Sequence, residues 1–163
     1  MIGTEYTDWQ QLGNPEGHHS CSPNLVLVLG ELQRRWPGMS NMGCYGVRMI
    51  RGSTVTPSSH GYGAAIDVGY LPAADPLVAE MVAPWLVARS DELHIGAIHD
   101  YRRSRIWHAG RTAEMGDACS VWWRAQRPSN ATGMGAVWAN HLHLEVTREG
   151  WDDATPIEGR WVE

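Results

Sequence analysis

The segment Ser58-Ser59-His60-Gly61-Tyr62-Gly63-Ala64-Ala65-Ile66-Asp67-Val68 runs from a turn into an apolar strand and carries one imidazole and one carboxylate. His60 and Asp67 lie seven positions apart and share no helix face cleanly, but Gly61 and Gly63 permit a tight bend that brings His60 Nε2 and the Asp67 carboxylate to one point. The small residues at 63–65 let another part of the chain approach closely. An Asp flanked by Ala65, Ile66 and Val68 needs a strong partner to be buried, and a metal ion is one. A plain His–Asp hydrogen bond within the turn is the equal alternative for these two residues alone.

A second segment, Asn140-His141-Leu142-His143-Leu144-Glu145, weighs on that choice. Its alternation predicts a strand over His141–Thr147 with His141, His143 and Glu145 on one face. Alternate polar residues on a strand usually mark its solvent face. Two histidines and one aspartate from separate strands are, however, a usual three-ligand zinc set that leaves one position for water.

Working outward, Ser22, Pro23 and the spacing of Leu25, Val28, Leu29, Leu32 and Trp36 predict a helix that Pro37-Gly38 stops. Tyr45–Arg51 reads as a strand, Ser53–Gly63 as a loop and Ala64–Tyr70 as a second strand. Asp75-Pro76 opens a helix from Leu77 to about Ala88, with Pro84 as a kink or break. Leu93–Ile98 and Arg105–His108 read as strands around an Asp-Tyr-Arg-Arg turn. Residues 109–140 show no clean period; Trp122, Trp123 and Trp138 within them are read as packing more readily than as groove walls. The expected architecture is α+β: a small antiparallel sheet carrying the zinc site, flanked by helices and long loops, in one domain over residues 1–163.

The chain has 163 residues, 43% of them hydrophobic, a globular composition. The longest apolar run, Leu25–Leu29, rules out a helical membrane span. A formal charge of -5 does not favour nucleic acid, which needs concentrated positive charge. All 13 basic residues are Arg, so Schiff-base chemistry and a lysine-bearing phosphate loop are excluded. Cys21, Cys44 and Cys119 lack C-x-x-C spacing and allow at most one intramolecular disulfide; unpaired buried thiols in a reducing compartment are the expected state. A zinc cluster of His18, His19 and Cys21 is a minor alternative whose spacing matches no common finger. His94, His99 and His108 lie outside both motifs and are read as structural or surface residues.

Taken together, Ser58, His60, Gly63, Ala65 and Asp67, followed far downstream by His141 and His143, resemble the zinc peptidases of the D-Ala-D-Ala carboxypeptidase, lysostaphin and hedgehog-fold group. The pattern is most similar to the M15-type peptidoglycan peptidase domain of phage endolysins, notably those of mycobacteriophages and their relatives. The resemblance rests on Tyr45–Asp67 and His141–His143, and matches the middle of the chain only loosely. It implies that His60, Asp67 and His143 bind one Zn²⁺. It further implies that His141 orients or deprotonates the attacking water or stabilises the intermediate. Arg51 is implied as the oxyanion partner, with Arg48 the alternate, and Ser58 and Tyr62 fall among the substrate-binding residues.

One position departs from the carboxypeptidase branch: Asn140 stands where that branch has a Glu acting as general base. His141 is therefore the first choice for the base and Glu145 the second, with orientation of a ligand imidazole as the other role open to Glu145. The expected activity is hydrolysis of an amide bond in the peptide stem or cross-link of bacterial peptidoglycan. A non-catalytic metal-containing binding module of the same fold is the alternative. No secretory signal is visible, and the resemblance implies a protein held in the host cytoplasm until lysis releases it to the wall. A monomer without nucleic-acid or membrane partner is expected. The chain's length leaves no room for a separate wall-binding module, so it is read either as a standalone enzyme or as part of a longer modular lysin.

Overall fold

Ser22 starts the helix that follows it, as its sequence predicts. In the computed structural model, which describes residues 9, 17–50, 53–70, 77–111, 124–125 and 139–160, the Ser22 hydroxyl accepts from the Leu25 amide at 3.4 Å and donates to the Trp151 carbonyl at 2.6 Å. Helix α1 (Pro23–Arg35) follows, with Leu25, Val28, Leu29 and Leu32 buried. It ends at Trp36, whose amide returns to the Leu32 carbonyl.

Among the described residues, five strands of four to six residues and one of two residues form a six-stranded sheet. They are β1 (Met39–Gly43), β2 (Ala65–Tyr70), β3 (Ile95–Asp100), β4 (Arg105–His108), β5 (Arg124–Ala125) and β6 (His141–Val146). The order is β1-β2-β6-β3-β4-β5 and every neighbouring pair is antiparallel. Helices α2 (Leu77–Val87) and α3 (Ser90–Leu93) lie between β2 and β3 in sequence. The protein is therefore α+β with a small antiparallel sheet.

The two sheet faces differ in chemistry because side chains alternate along each strand. Ile66 and Val68 of β2, Leu142, Leu144 and Val146 of β6, and Ile98 of β3 join α1 and α2 in one core with Leu25, Val28, Leu32, Val82 and Leu86. On the other face the register sets Asp67 opposite His143 and His143 opposite His99. That row is the floor of the candidate site.

Several expectations need correction. The strand predicted over Tyr45–Arg51 lies earlier, at Met39–Gly43; residues 44–50 form no strand beyond an isolated bridge from Met49 to Pro57. Among the described residues no layer buries the apolar alternation there: Val47 is 83% exposed, and β1 already occupies the edge of β2. The strand predicted at Leu93–Ile98 starts two residues later, because Leu93 ends α3 and His94 adopts a left-handed conformation (φ 52°). Helix α2 continues through Pro84 rather than breaking there. Asp75-Pro76, Arg51, Trp122, Trp123, Trp138 and Cys119 lie outside the described residues.

The expectation of unpaired thiols is overturned for Cys21 and Cys44, which form the one disulfide that the sequence allowed as the alternative. The pairing follows from a close approach that sequence spacing does not encode: the Ser22 amide donates to the Gly63 carbonyl at 2.9 Å, bringing the start of α1 against the turn after His60. It also removes Cys21 from any zinc cluster, and His18 instead stacks on Trp151 with ring centroids 3.5 Å apart.

Candidate metal centre

The site is built from a turn and two strands. Ser58 caps the one-turn helix Ser59–Tyr62, its hydroxyl accepting from the His60 amide at 3.4 Å, and Gly63 closes the turn at φ +64°. This geometry fixes the His60 backbone, and the Cys44 carbonyl fixes its ring. A carbonyl oxygen only accepts, so His60 Nδ1 carries the proton and donates to it. In the neutral ring Nε2 is then a bare lone pair pointing the other way.

That lone pair meets Asp67. His60 Nε2 is buried, lies 3.3 Å from Asp67 Oδ1 and makes no hydrogen bond. The simple His–Asp hydrogen bond is therefore absent. His143 completes the group from β6: its Nδ1 donates to Asp67 Oδ1 at 2.9 Å and its Nε2 donates to Glu145 Oε1 at 2.9 Å. Ser59 donates to the same Glu145 oxygen at 2.7 Å. Donor atoms of His60, Asp67 and His143 all lie within 4.8 Å of one another, and among the described residues the group numbers three.

The electrostatics are those of a site holding a proton where a cation fits. Burial pushes His143 down, but its hydrogen bonds to Asp67 and Glu145 outweigh that and raise its pKa well above 6.5. Burial likewise raises the Asp67 carboxyl, and the hydrogen bond from the protonated His143 leads the effects that more than reverse it, holding it far below the usual carboxylate range. A proton on His143 satisfies Asp67 but leaves His60 Nε2 orphaned; a cation shared by all three satisfies every donor. The residues thus fit a metal ion.

Metal uptake must then displace that proton. Because the metal-free pKa of His143 lies above its ordinary value, affinity should rise with pH until His143 has lost its proton. Calorimetric titration near neutral pH in two buffers of different ionisation enthalpy is expected to show release of about one proton per ion. Uptake without proton release would contradict the geometry.

The remaining candidates are distributed around this centre. Glu145, buried, touches His143 on the nitrogen turned away from Asp67. It therefore orients that ring, and Glu145→Gln should weaken metal affinity by about tenfold while leaving the fold intact, measured by competition with a chromophoric chelator. His141 is half-buried on the same sheet face and stacks on Tyr101 at 4.9 Å between centroids. Ser58 is buried under the turn it caps, and Tyr62 packs in the hydrophobic core beside Trp9. Arg51 lies outside the described residues, whereas the exposed Arg48 places its guanidinium 3.5 Å from Asp67 Oδ2.

Other residues enter that the motifs did not single out. Ser59 and the Cys44 carbonyl hold ligands, as described. His99 stands opposite His143 with ring centroids 5.2 Å apart, and its Nε2 faces His108 Nε2 at 3.5 Å. Burial first, then the charge on His143, pushes His99 down to about 3, so it stays neutral. Alternation from His99 to Tyr101 was the available signal, masked by a strand start placed two residues early. His94 belongs elsewhere, 3.3 Å from Asp153, as a structural residue. Comparisons with known protein families, curated proteins and solved structures give no match to this chain.

Proposed function

We propose that this chain is a zinc-dependent peptidase that hydrolyses an amide bond in the peptide stem or cross-link of bacterial peptidoglycan, acting in phage-induced lysis. The observation that carries the metal-dependent part is the buried, unpartnered His60 Nε2 aimed at Asp67 and His143. The substrate class rests on the resemblance of Ser58–Asp67 and His141–His143 to the M15-type wall peptidases. Two imidazoles and a carboxylate suit zinc, with a position left for solvent.

Zinc held there supplies Lewis-acid chemistry, polarising the scissile carbonyl and acidifying a water towards neutrality. The protein's own groups do the rest. His60, Asp67 and His143 hold the ion, and Glu145 with Ser59 keeps the His143 ring from turning. His141 takes the proton of the attacking water. Arg48 supplies the positive charge that a developing oxyanion needs. Its substrate, wall peptide, is reached from the host cytoplasm after the membrane has been breached.

Asn140 favours one second reading, a non-catalytic module of the same fold, because it removes the carboxylate expected as base. Incubation of purified cell walls with zinc-loaded protein separates the two. Mass spectrometry should find new peptide termini that disappear with a chelator and return with zinc. His141→Ala should lower the rate by about 10²- to 10⁴-fold while retaining the metal. Wall cleavage that survives metal removal, or none by zinc-loaded protein, overturns the peptidase.

A further inference from the structure

The Cys21–Cys44 disulfide sits against the metal centre through a single backbone group. Cys44 supplies the carbonyl that accepts from His60 Nδ1, so the residue that closes the disulfide also selects the ligand tautomer of His60. Three pieces of chain meet here. The Ser22 amide reaches the Gly63 carbonyl at 2.9 Å, and the Gly46 amide reaches the His60 carbonyl at 3.1 Å. A Cβ at Gly63 would lie 1.6 Å from the Ser20 carbonyl oxygen, which shows how closely the segment bearing Cys21 packs on the turn.

Cys44 directly follows β1, whose Gly43 is registered with Asp67, and it marks the point where the ordered pairing ends. It is buried, but from Tyr45 to Pro57 every described residue is exposed or half-buried, with Val47 and Val55 at least 80% exposed. That stretch lacks the apolar burial that would hold it in place. The covalent bond to Cys21, next to the start of α1, is a second tie between that carbonyl and the rigid part of the fold. Cys21 is half-buried, whereas Cys44 is buried.

We infer that the Cys21–Cys44 bond is a redox switch on the metal centre: the disulfide form holds the ion tightly and the dithiol form holds it weakly. The inference rests on the metal-dependent reading above and adds its regulation. Reduction is by a cellular dithiol. Two electrons and two protons pass to the Cys21–Cys44 bond, which opens to two thiols as the reductant closes its own disulfide. Cys44 then moves with its loop, and the His60 ring loses the acceptor that held Nε2 towards Asp67. Closure is the reverse exchange: a small-molecule disulfide outside the cell takes up the two electrons and two protons as the two thiols join, and a chain made in a reducing cytoplasm would gain its metal there.

The test compares zinc affinity, by competition with a chromophoric chelator, in oxidised wild-type protein and in the Cys21→Ala/Cys44→Ala double variant, which carries no thiol at either position to bind zinc itself. The variant should bind at least about tenfold more weakly, the effect of losing a partner that orients a ligand, with an unchanged circular dichroism spectrum. Imidazole nitrogen NMR of the metal-free proteins should show the His60 Nδ1 proton fixed in the wild type and exchanging in the variant. Should the double variant not fold, reduced wild-type protein with its thiols capped by iodoacetamide carries the same comparison. Equal affinity in both forms overturns the switch and leaves the metal centre standing. Failure of oxidised wild-type protein to bind zinc overturns both.

Discussion

Asp67→Ala removes tight metal binding and, with it, any metal-dependent hydrolysis. The carboxylate sits between His60 Nε2 at 3.3 Å and His143 Nδ1 at 2.9 Å, so it is the donor both imidazoles share. If three protein ligands divide a metal-binding energy of roughly 10 kcal/mol, losing one weakens affinity roughly 300-fold. The fold should survive, because the flanking Ile66 and Val68 point to the opposite, apolar face and keep their core contacts. His143 also retains its hydrogen bond to Glu145. Isothermal titration with zinc, alongside circular dichroism, checks both halves. Unchanged affinity would mean that the ion is held elsewhere.

Gly63→Ala should be the most destabilising single change near the site. Gly63 adopts φ +64°, a left-handed conformation that costs a side-chain-bearing residue about 1–2 kcal/mol. The added methyl would also stand 1.6 Å from the Ser20 carbonyl oxygen and 2.8 Å from its carbon. Those are backbone atoms beside the disulfide and cannot rotate away, so the segment before α1 must shift and give up the Ser22–Gly63 hydrogen bond. A loss of about 4 kcal/mol or more is expected in urea denaturation, at the top of the range for point mutants. Gly61→Ala is the internal control: its Cβ would meet nothing closer than 3.9 Å, and its φ is not positive. It should cost less than about 1 kcal/mol, within the usual range for unstrained positions. Equal effects at 61 and 63 would contradict the packing described.

The same local rules explain how much could be read in advance. His60, Asp67 and His143 were legible because glycine bends a turn and strand side chains alternate; both properties belong to short segments. Helix α1 was legible for a similar reason, since Ser22, Pro23 and the leucine spacing act within a few turns. The strand at Tyr45–Arg51 was misplaced because its alternation looks like that of a half-buried strand, while only the tertiary fold shows that β2 already has a neighbour. His99 was passed over because a strand ending at Ile98 leaves it outside, and the register that puts it opposite His143 depends on the left-handed turn at His94. The disulfide and the Cys44 carbonyl are long-range features of the same kind. Glu145 lies between these cases: its face was evident from the alternation, but its contact with the far nitrogen of His143 depends on the ring orientation that Asp67 imposes.

Diffraction from crystals of zinc-loaded protein, with anomalous data collected at the zinc edge, bears most directly on the three-donor centre. The expected map has one strong peak about 2.0–2.2 Å from His60 Nε2, an Asp67 carboxylate oxygen and His143 Nδ1, with solvent in the remaining position. A peak away from these three side chains, or a fourth protein donor closing the last position, would contradict it.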